Sequence, residues 1–185
     1  MNRFSQFRTA AMIAFVALAS CVGPPAAPPP APPQPPPVVQ APPPPPLSAD
    51  WRNWPVSAGD WSYRKNAEGS VASFGIAGSA ALLSMRCALT TRQIVIARFI
   101  GATSTQGAGQ MTLRTSFGAV QWPFVVNPAT GSTALYATAT RAAGDAALDQ
   151  MAFSRGRIAL EIAGMPPLVV PNWAEVTRVI EDCRG

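Results

Sequence analysis

Between Val22 and Pro46 the chain carries fifteen of its twenty-one prolines and no charged residue. Proline fixes φ and lacks an amide donor, so this stretch is barred from helix and from central strand. It is expected to populate polyproline II, at about 3.1 Å per residue, as a disordered but stiff tether of about 70 Å from Pro24 to Pro46 at full extension. The composition is that of a spacer. The sharper alternatives are a ligand for a PxxP-binding domain or a path through a cell-wall mesh. Folded structure must therefore come from what flanks the tether. The larger flank, Leu47 to Gly185, is about 139 residues, one domain's worth.

The smaller flank has three parts. Arg3 and Arg8 make a basic start, Ala10 to Leu18 is an uncharged apolar run, and Ala19-Ser20 are small residues. That is the layout of a secretory signal; a transmembrane helix needs about 20 apolar residues. Leu18-Ala19-Ser20-Cys21 resembles the lipobox of bacterial lipoproteins. The resemblance implies a diacylated Cys21 thiol, cleavage before Cys21 and an acylated new amino terminus. It divides the chain into a signal peptide at 1–20, a lipidated cysteine and proline-rich tether at 21–46, and a globular domain at 47–185. One acyl chain holds a protein at a bilayer only marginally, whereas two or more anchor it stably. In lipoproteins of this kind an Asp after the cysteine commonly retains the protein at the inner membrane. Val22 stands there instead, so the expected location is the outer membrane, facing the periplasm of a bacterial envelope.

Loss of Arg3 and Arg8 with the signal leaves twelve basic and nine acidic residues, a net charge of +3 scattered along the chain. This is too mild to argue for nucleic acid. There is no histidine, and Lys65 is the only lysine. The commonest general base and the commonest metal ligand are both missing. No metal and no cofactor is expected. With Cys21 assigned to lipid, Cys87 and Cys183 remain, and an oxidising compartment favours pairing them. The bridge would close a loop of about 97 residues, with a chain-entropy ceiling of about 4.7 kcal/mol. Two buried thiols or an intermolecular bridge are the alternatives.

The domain reads as mainly β. Leu83, Met85 and Cys87 alternate with Leu82, Ser84 and Arg86. Met111, Leu113, Thr115 and Phe117 alternate with Gln110, Thr112, Arg114 and Ser116. Ile158, Leu160 and Ile162 alternate with Arg157, Glu161 and Ala163. Trp61–Arg64 and Val71–Ile76 flank the turn Asn66–Gly69 as a hairpin. Arg92–Ile100 is apolar on both faces, which suggests a central strand covered on both sides. Pro123 places Val120–Val126 at an edge or a bulge. Strands at Thr133–Thr140 and Leu168–Val170 bring the count to about nine. Asp145 caps a short helix from Ala146 to Met151. Asn172, with Glu175 three residues on, has the pattern of a capping box opening a carboxy-terminal helix. Without long helices between the strands, a parallel sheet is excluded. The expected fold is an antiparallel β-sandwich or open barrel with one short helix and a terminal helix. Leu83-Ser84-Met85-Arg86-Cys87, the strand Ile94–Phe99, Arg114 and the closing Cys183 resemble small envelope β-sandwich proteins such as the VasI-like family. That likeness implies a sandwich and no activity.

Trp51, Trp54 and Trp61 could form a sugar platform, but such indoles more often cover a core edge and donate their N–H to a carbonyl. Glu161 and Asp149 are conceivable glycosidase carboxylates, and Lys65 a conceivable partner for a serine. Neither has a recognisable catalytic spacing, and no catalytic residue is assigned. The arginines are the better candidates. Arg86, Arg98 and Arg114 on strands, with Arg155 and Arg157 around Gly156, would make an anion or partner patch if the sheet aligned them. The expected role is structural or binding, held to the membrane by lipid, with an envelope protein or peptidoglycan as partner. A cell-wall-acting enzyme or an enzyme inhibitor is the alternative.

Overall fold

The computed structural model describes Gly23 and residues 45–103, 107–129 and 131–185. Cys21, the lipobox-like stretch before it and nearly all of the proline tether lie outside the described residues. The chain divides into two units, and the second, Pro44–Gly185, contains all of the regular structure reported below.

Strands β1 (Asp60–Asn66), β2 (Gly69–Gly75), β3 (Leu83–Ala88) and β4 (Gln93–Gly101) form an antiparallel meander. The chain then crosses over. Strands β5 (Ala108–Thr115), β6 (Gly118–Pro128) and β7 (Leu135–Ala142) return in reverse order, so that β7 pairs with β4. Strands β8 (Arg157–Ile162) and β9 (Leu168–Pro171) extend the sheet from β5. The result is one sheet of order β1-β2-β3-β4-β7-β6-β5-β8-β9, antiparallel throughout and curled into a half-barrel. This is the open member of the expected pair of architectures.

The curl brings the two ends of the sheet towards each other. Trp61 Nε1, on β1, donates to Pro171 O, on β9, at 2.8 Å. The outer edge of β9 is taken by Ser57, whose N–H donates to Val169 O at 2.8 Å and whose Oγ accepts from Val169 N at 3.2 Å. An edge strand covered in this way no longer offers an open hydrogen-bonding row. Gly69 sits at φ +148°, and a Cβ there would collide with Cys87 O, so only glycine lets the β1–β2 hairpin close over β3.

Alternation drives the concave face. Ile94 and Ile96 of β4, Met111 and Leu113 of β5, and Ile158 and Leu160 of β8 are all fully buried there. Helix α1 (Ala146–Ala152) and helix α2 (Ala174–Arg184) lie at the rim formed by the carboxyl ends of β1, β3, β5, β7 and β9. Asp145 caps α1, accepting from Ala147 N at 2.9 Å. Helix α2 buries Val176, Val179 and Ile180 against the core, each contributing about 1.5–3 kcal/mol of hydrophobic stabilisation. Its last turn is fixed by the Cys87–Cys183 disulfide, with Cα atoms 5.4 Å apart.

Three local expectations are corrected. Phe117 does not continue the inward row of β5; it sits in the turn after Thr115 and is 58% exposed. Asn172 does not cap α2: its Nδ2 donates to Ala152 O and Ser154 O, and Trp173 takes the cap position without a side-chain bond. Tertiary partners outcompete the local motif there. The outer face of β4, at Val95 and Ala97, is half-buried and not covered like the inner face. Pro123 lies at a local edge, as its lack of an amide donor predicts, although β6 is an inner strand of the sheet. It lies where β6 pairs with β5 alone, because the β6–β7 ladder runs only from Val125 to Pro128. Beyond that ladder the two strands diverge, and Arg141, bonded to Asp145, stacks on the Trp122 ring at 5.7 Å.

Candidate anion-binding groove

The register of the first three strands places two arginines on the convex face. Arg64 pairs with Val71, and Val71 pairs with Arg86. Directly opposed residues share a face, so the guanidinium stems flank Val71 two strand spacings, about 10 Å, apart. Both side chains are exposed, and neither has a carboxylate partner among the described residues. They border a groove of about 380 Å³ that also takes in Lys65, Asn66, Glu68 and Ser70. Its end is rigid, because Asn66 Oδ1 accepts from both Glu68 N and Gly69 N at 3.0 Å. Guanidinium forks separated by an apolar residue, with one carboxylate at the margin, suit a carboxylate or phosphate group.

Beneath the groove lies a polar cluster. Tyr63 and Lys65 both donate short hydrogen bonds to the Asp182 carboxylate of α2. The bond to Asp182 raises the Lys65 pKa above the usual lysine value, with the Asp182 charge acting in the same direction. The same bond raises the Tyr63 phenol. Burial pushes the Asp182 carboxyl up, but the bonds from Lys65 and Tyr63 outweigh it and hold the pKa below the ordinary carboxylate value. Ser70 stands directly opposite Lys65. Its buried Oγ is in reach of Asp182 and Tyr63 but has no hydrogen bond of good geometry. A serine–lysine pair acts by general-base catalysis only if the amine is readily deprotonated. Here the carboxylate makes Lys65 harder to deprotonate, and the cluster clamps α2 to β1.

The five arginines singled out from the sequence do not come together. Arg86 faces outward on β3. Arg98 faces inward and is only 3% exposed; its guanidinium donates to Leu160 O at 2.7 Å and to Pro166 O. Desolvation lowers its pKa to about 10, against a raising effect from Glu161. Arg98 is therefore a buried strut, not a surface ligand. Arg114 faces outward on β5, pairs with Glu161 and lies 5.8 Å from the Trp54 ring. Arg157 donates to Trp54 O at 2.7 Å, and Arg155 is exposed in the adjoining loop. Arg86 and Arg114 are four strand spacings apart, about 19 Å, too far for one small anion. Arg64 was the residue missed. The hairpin pairing Asn66 with Gly69 sets Arg64 opposite Val71, so half of the row was readable from the turn alone.

The tryptophans before and at β1 are packed. Trp51, Trp54 and Trp61 are 8–9% exposed. Trp51 and Trp54 cover Ala159 and Val169, and Trp54 Nε1 donates to Ser48 O at 2.6 Å. Glu161 pairs with Arg114, and Asp149 with Arg184. Among the described residues no group of three or more acidic, cysteine or histidine side chains could hold a metal, and no helix is long and apolar enough to cross a membrane. No family model, curated protein or solved structure matches the chain.

Proposed function

We propose that the protein is a lipid-anchored component of the bacterial cell envelope whose folded domain binds an anionic partner and performs no catalysis. The observation that carries the binding role is the exposed Arg64–Val71–Arg86 row, two guanidinium groups without carboxylate partners among the described residues. A side chain left solvated beside a second like charge is poorly explained by stability and well explained by a ligand that neutralises both. The resemblance of Leu18–Cys21 to a lipobox supports the anchor, and Val22 supports the outer membrane with the domain in the periplasm. Carboxylate-bearing stems of peptidoglycan, or an acidic face of an envelope protein, fit the groove's chemistry. Nucleic acid and cofactors have no part in this reading.

The test is titration of the full chain with soluble peptidoglycan fragments, with inorganic phosphate as competitor. Arg64→Ala and Arg86→Ala should each weaken binding about tenfold, as loss of a charge-assisted pair predicts. Binding that is indifferent to both substitutions overturns the assignment. The anchor is tested separately, by the intact mass of protein from native membranes. The expected mass begins at Cys21, carries acyl groups, and rises by two hydrogens on reduction.

A further inference from the structure

The helix-bearing rim has a second side, away from the basic groove. Three of the large apolar side chains left in solvent belong to it. Phe117 is 58% exposed, Phe153 65% and Trp173 48%. They come from three different connections: the β5–β6 turn, the end of α1 and the start of α2. A lattice of hydrogen bonds between neighbouring residues locks those connections together. Ser116 N donates to Ser154 Oγ, and Arg155 N donates to Ser116 Oγ, each at 3.0 Å. Asn172 Nδ2 donates to Ala152 O at 3.0 Å and to Ser154 O at 2.7 Å, and Asn172 N donates to Gly156 O at 3.1 Å. The rings are therefore presented from a fixed scaffold, and the exposed Arg155 stands among them.

Isolated exposed hydrophobics need no explanation, but three exposed aromatics on connections whose adjoining residues are hydrogen-bonded to one another gather at one rim. Phe and Trp beside an arginine, at the tip of a rigid element, match the side chains that settle at the headgroup–acyl boundary of a bilayer. The length of chain before the domain supports the same occupant. Residues 22–44 span at most about 70 Å if extended, so a domain acylated at Cys21 would stay within reach of its membrane at high effective concentration. Shallow insertion of three rings would then be sufficient. We infer that this rim, through Phe117, Phe153 and Trp173, is a bilayer-contacting surface that seats the domain on the membrane independently of the lipid anchor. The inference goes beyond the anion-binding role, and only its biological setting rests on the lipoprotein reading.

The experiment uses the full chain with Cys21→Ser, so that acylation plays no part. It is mixed with vesicles of phosphatidylethanolamine and phosphatidylglycerol at 3:1, with and without brominated acyl chains. Trp173 is the reporter, because Trp51, Trp54, Trp61 and Trp122 are all 9% exposed or less. The expected result is co-sedimentation with a blue shift and bromine quenching that disappear in Trp173→Phe. Binding should fall at least fivefold in the double variant Phe117→Ser/Phe153→Ser and persist in about 0.5 M salt. Arg64→Ala/Arg86→Ala should keep the Trp173 blue shift and bromine quenching, which separates the aromatic patch from the groove. Three outcomes overturn the inference: no vesicle binding, binding abolished by salt and by loss of the groove arginines, or concentration-dependent self-association that the double variant abolishes. The last would make the patch a contact between copies of this chain.

Discussion

The two rims of the half-barrel are closed by opposite means. The rim carrying the helices is stitched by a covalent bond, a carboxylate clamp and the arginine pairs Arg141–Asp145 and Arg184–Asp149. Much of its polar chemistry is at least partly solvated, so the charged partners keep some hydration. The opposite rim is closed from inside by Arg98, which reaches from β4 to carbonyls of β8 and of the β8–β9 turn. A buried guanidinium with carbonyl partners is expensive to desolvate, as its lowered pKa of about 10 reflects. One rim thus tolerates rearrangement of single contacts, whereas the other depends on one side chain. Candidate recognition features, the basic groove and the aromatic patch, both lie at the stitched rim.

Breaking each rim should expose that difference. The largest loss is expected from Cys87→Ala/Cys183→Ala, which removes a link between residues 96 apart and should cost about 3–4 kcal/mol in urea unfolding. Arg98→Ala should cost about 3 kcal/mol, from lost packing and the buried Leu160 carbonyl left without this donor. Arg98→Met, which restores volume without charge, should recover about half of that. A methionine variant no better than alanine would show that the hydrogen bonds, not the filling, close this rim.

Asp182→Asn should have a smaller effect, and one that depends on pH. The folded carboxyl titrates below its ordinary value of 3.8, so its stabilisation is present above that value and is lost as pH falls through the lowered one. Urea midpoints at pH 6 and pH 3 should therefore converge for wild type and Asp182→Asn on acidification. A gap that stays constant would locate the clamp's contribution elsewhere. Arg64→Ala and Arg86→Ala should shift stability least, within about 0.5 kcal/mol, because neither side chain holds the fold together.

How much of this was legible follows the same division. Faces within a strand were readable where polar and apolar residues alternate, as in Leu83–Cys87 and Met111–Thr115, because the pleat alone decides them. The disulfide was readable from the cysteine count and the expected compartment. What required the fold was order between strands. The crossover that sets β7 beside β4 separates Arg86 from Arg114, and no spacing along the chain encodes it. Arg98 misled for a related reason: it shares the inward face with Ile94 and Ile96, but a charge in that row reads as surface until carbonyls are found to meet it. Asn172 carried a valid capping signal that was overridden by Ala152 and Ser154, which are distant in the sequence. Phe117 was lost to a turn two residues earlier than the alternation suggested.

The final helix has a consequence for the order in which the chain folds as it is made. The meander β1–β4 is built from neighbouring segments and can pair as soon as it is synthesised, because its contacts are local. Its apolar face, with Phe74, Leu83 and Met85 fully buried in the finished fold, is nevertheless partly covered by α2, which follows β4 about seventy residues later. Throughout that interval the sheet presents a sticky, half-built surface, and Cys87 waits as a free thiol for a partner not yet made. A chaperone or thiol oxidase acting on this protein would have that window, and a stalled chain lacking α2 would remain in it.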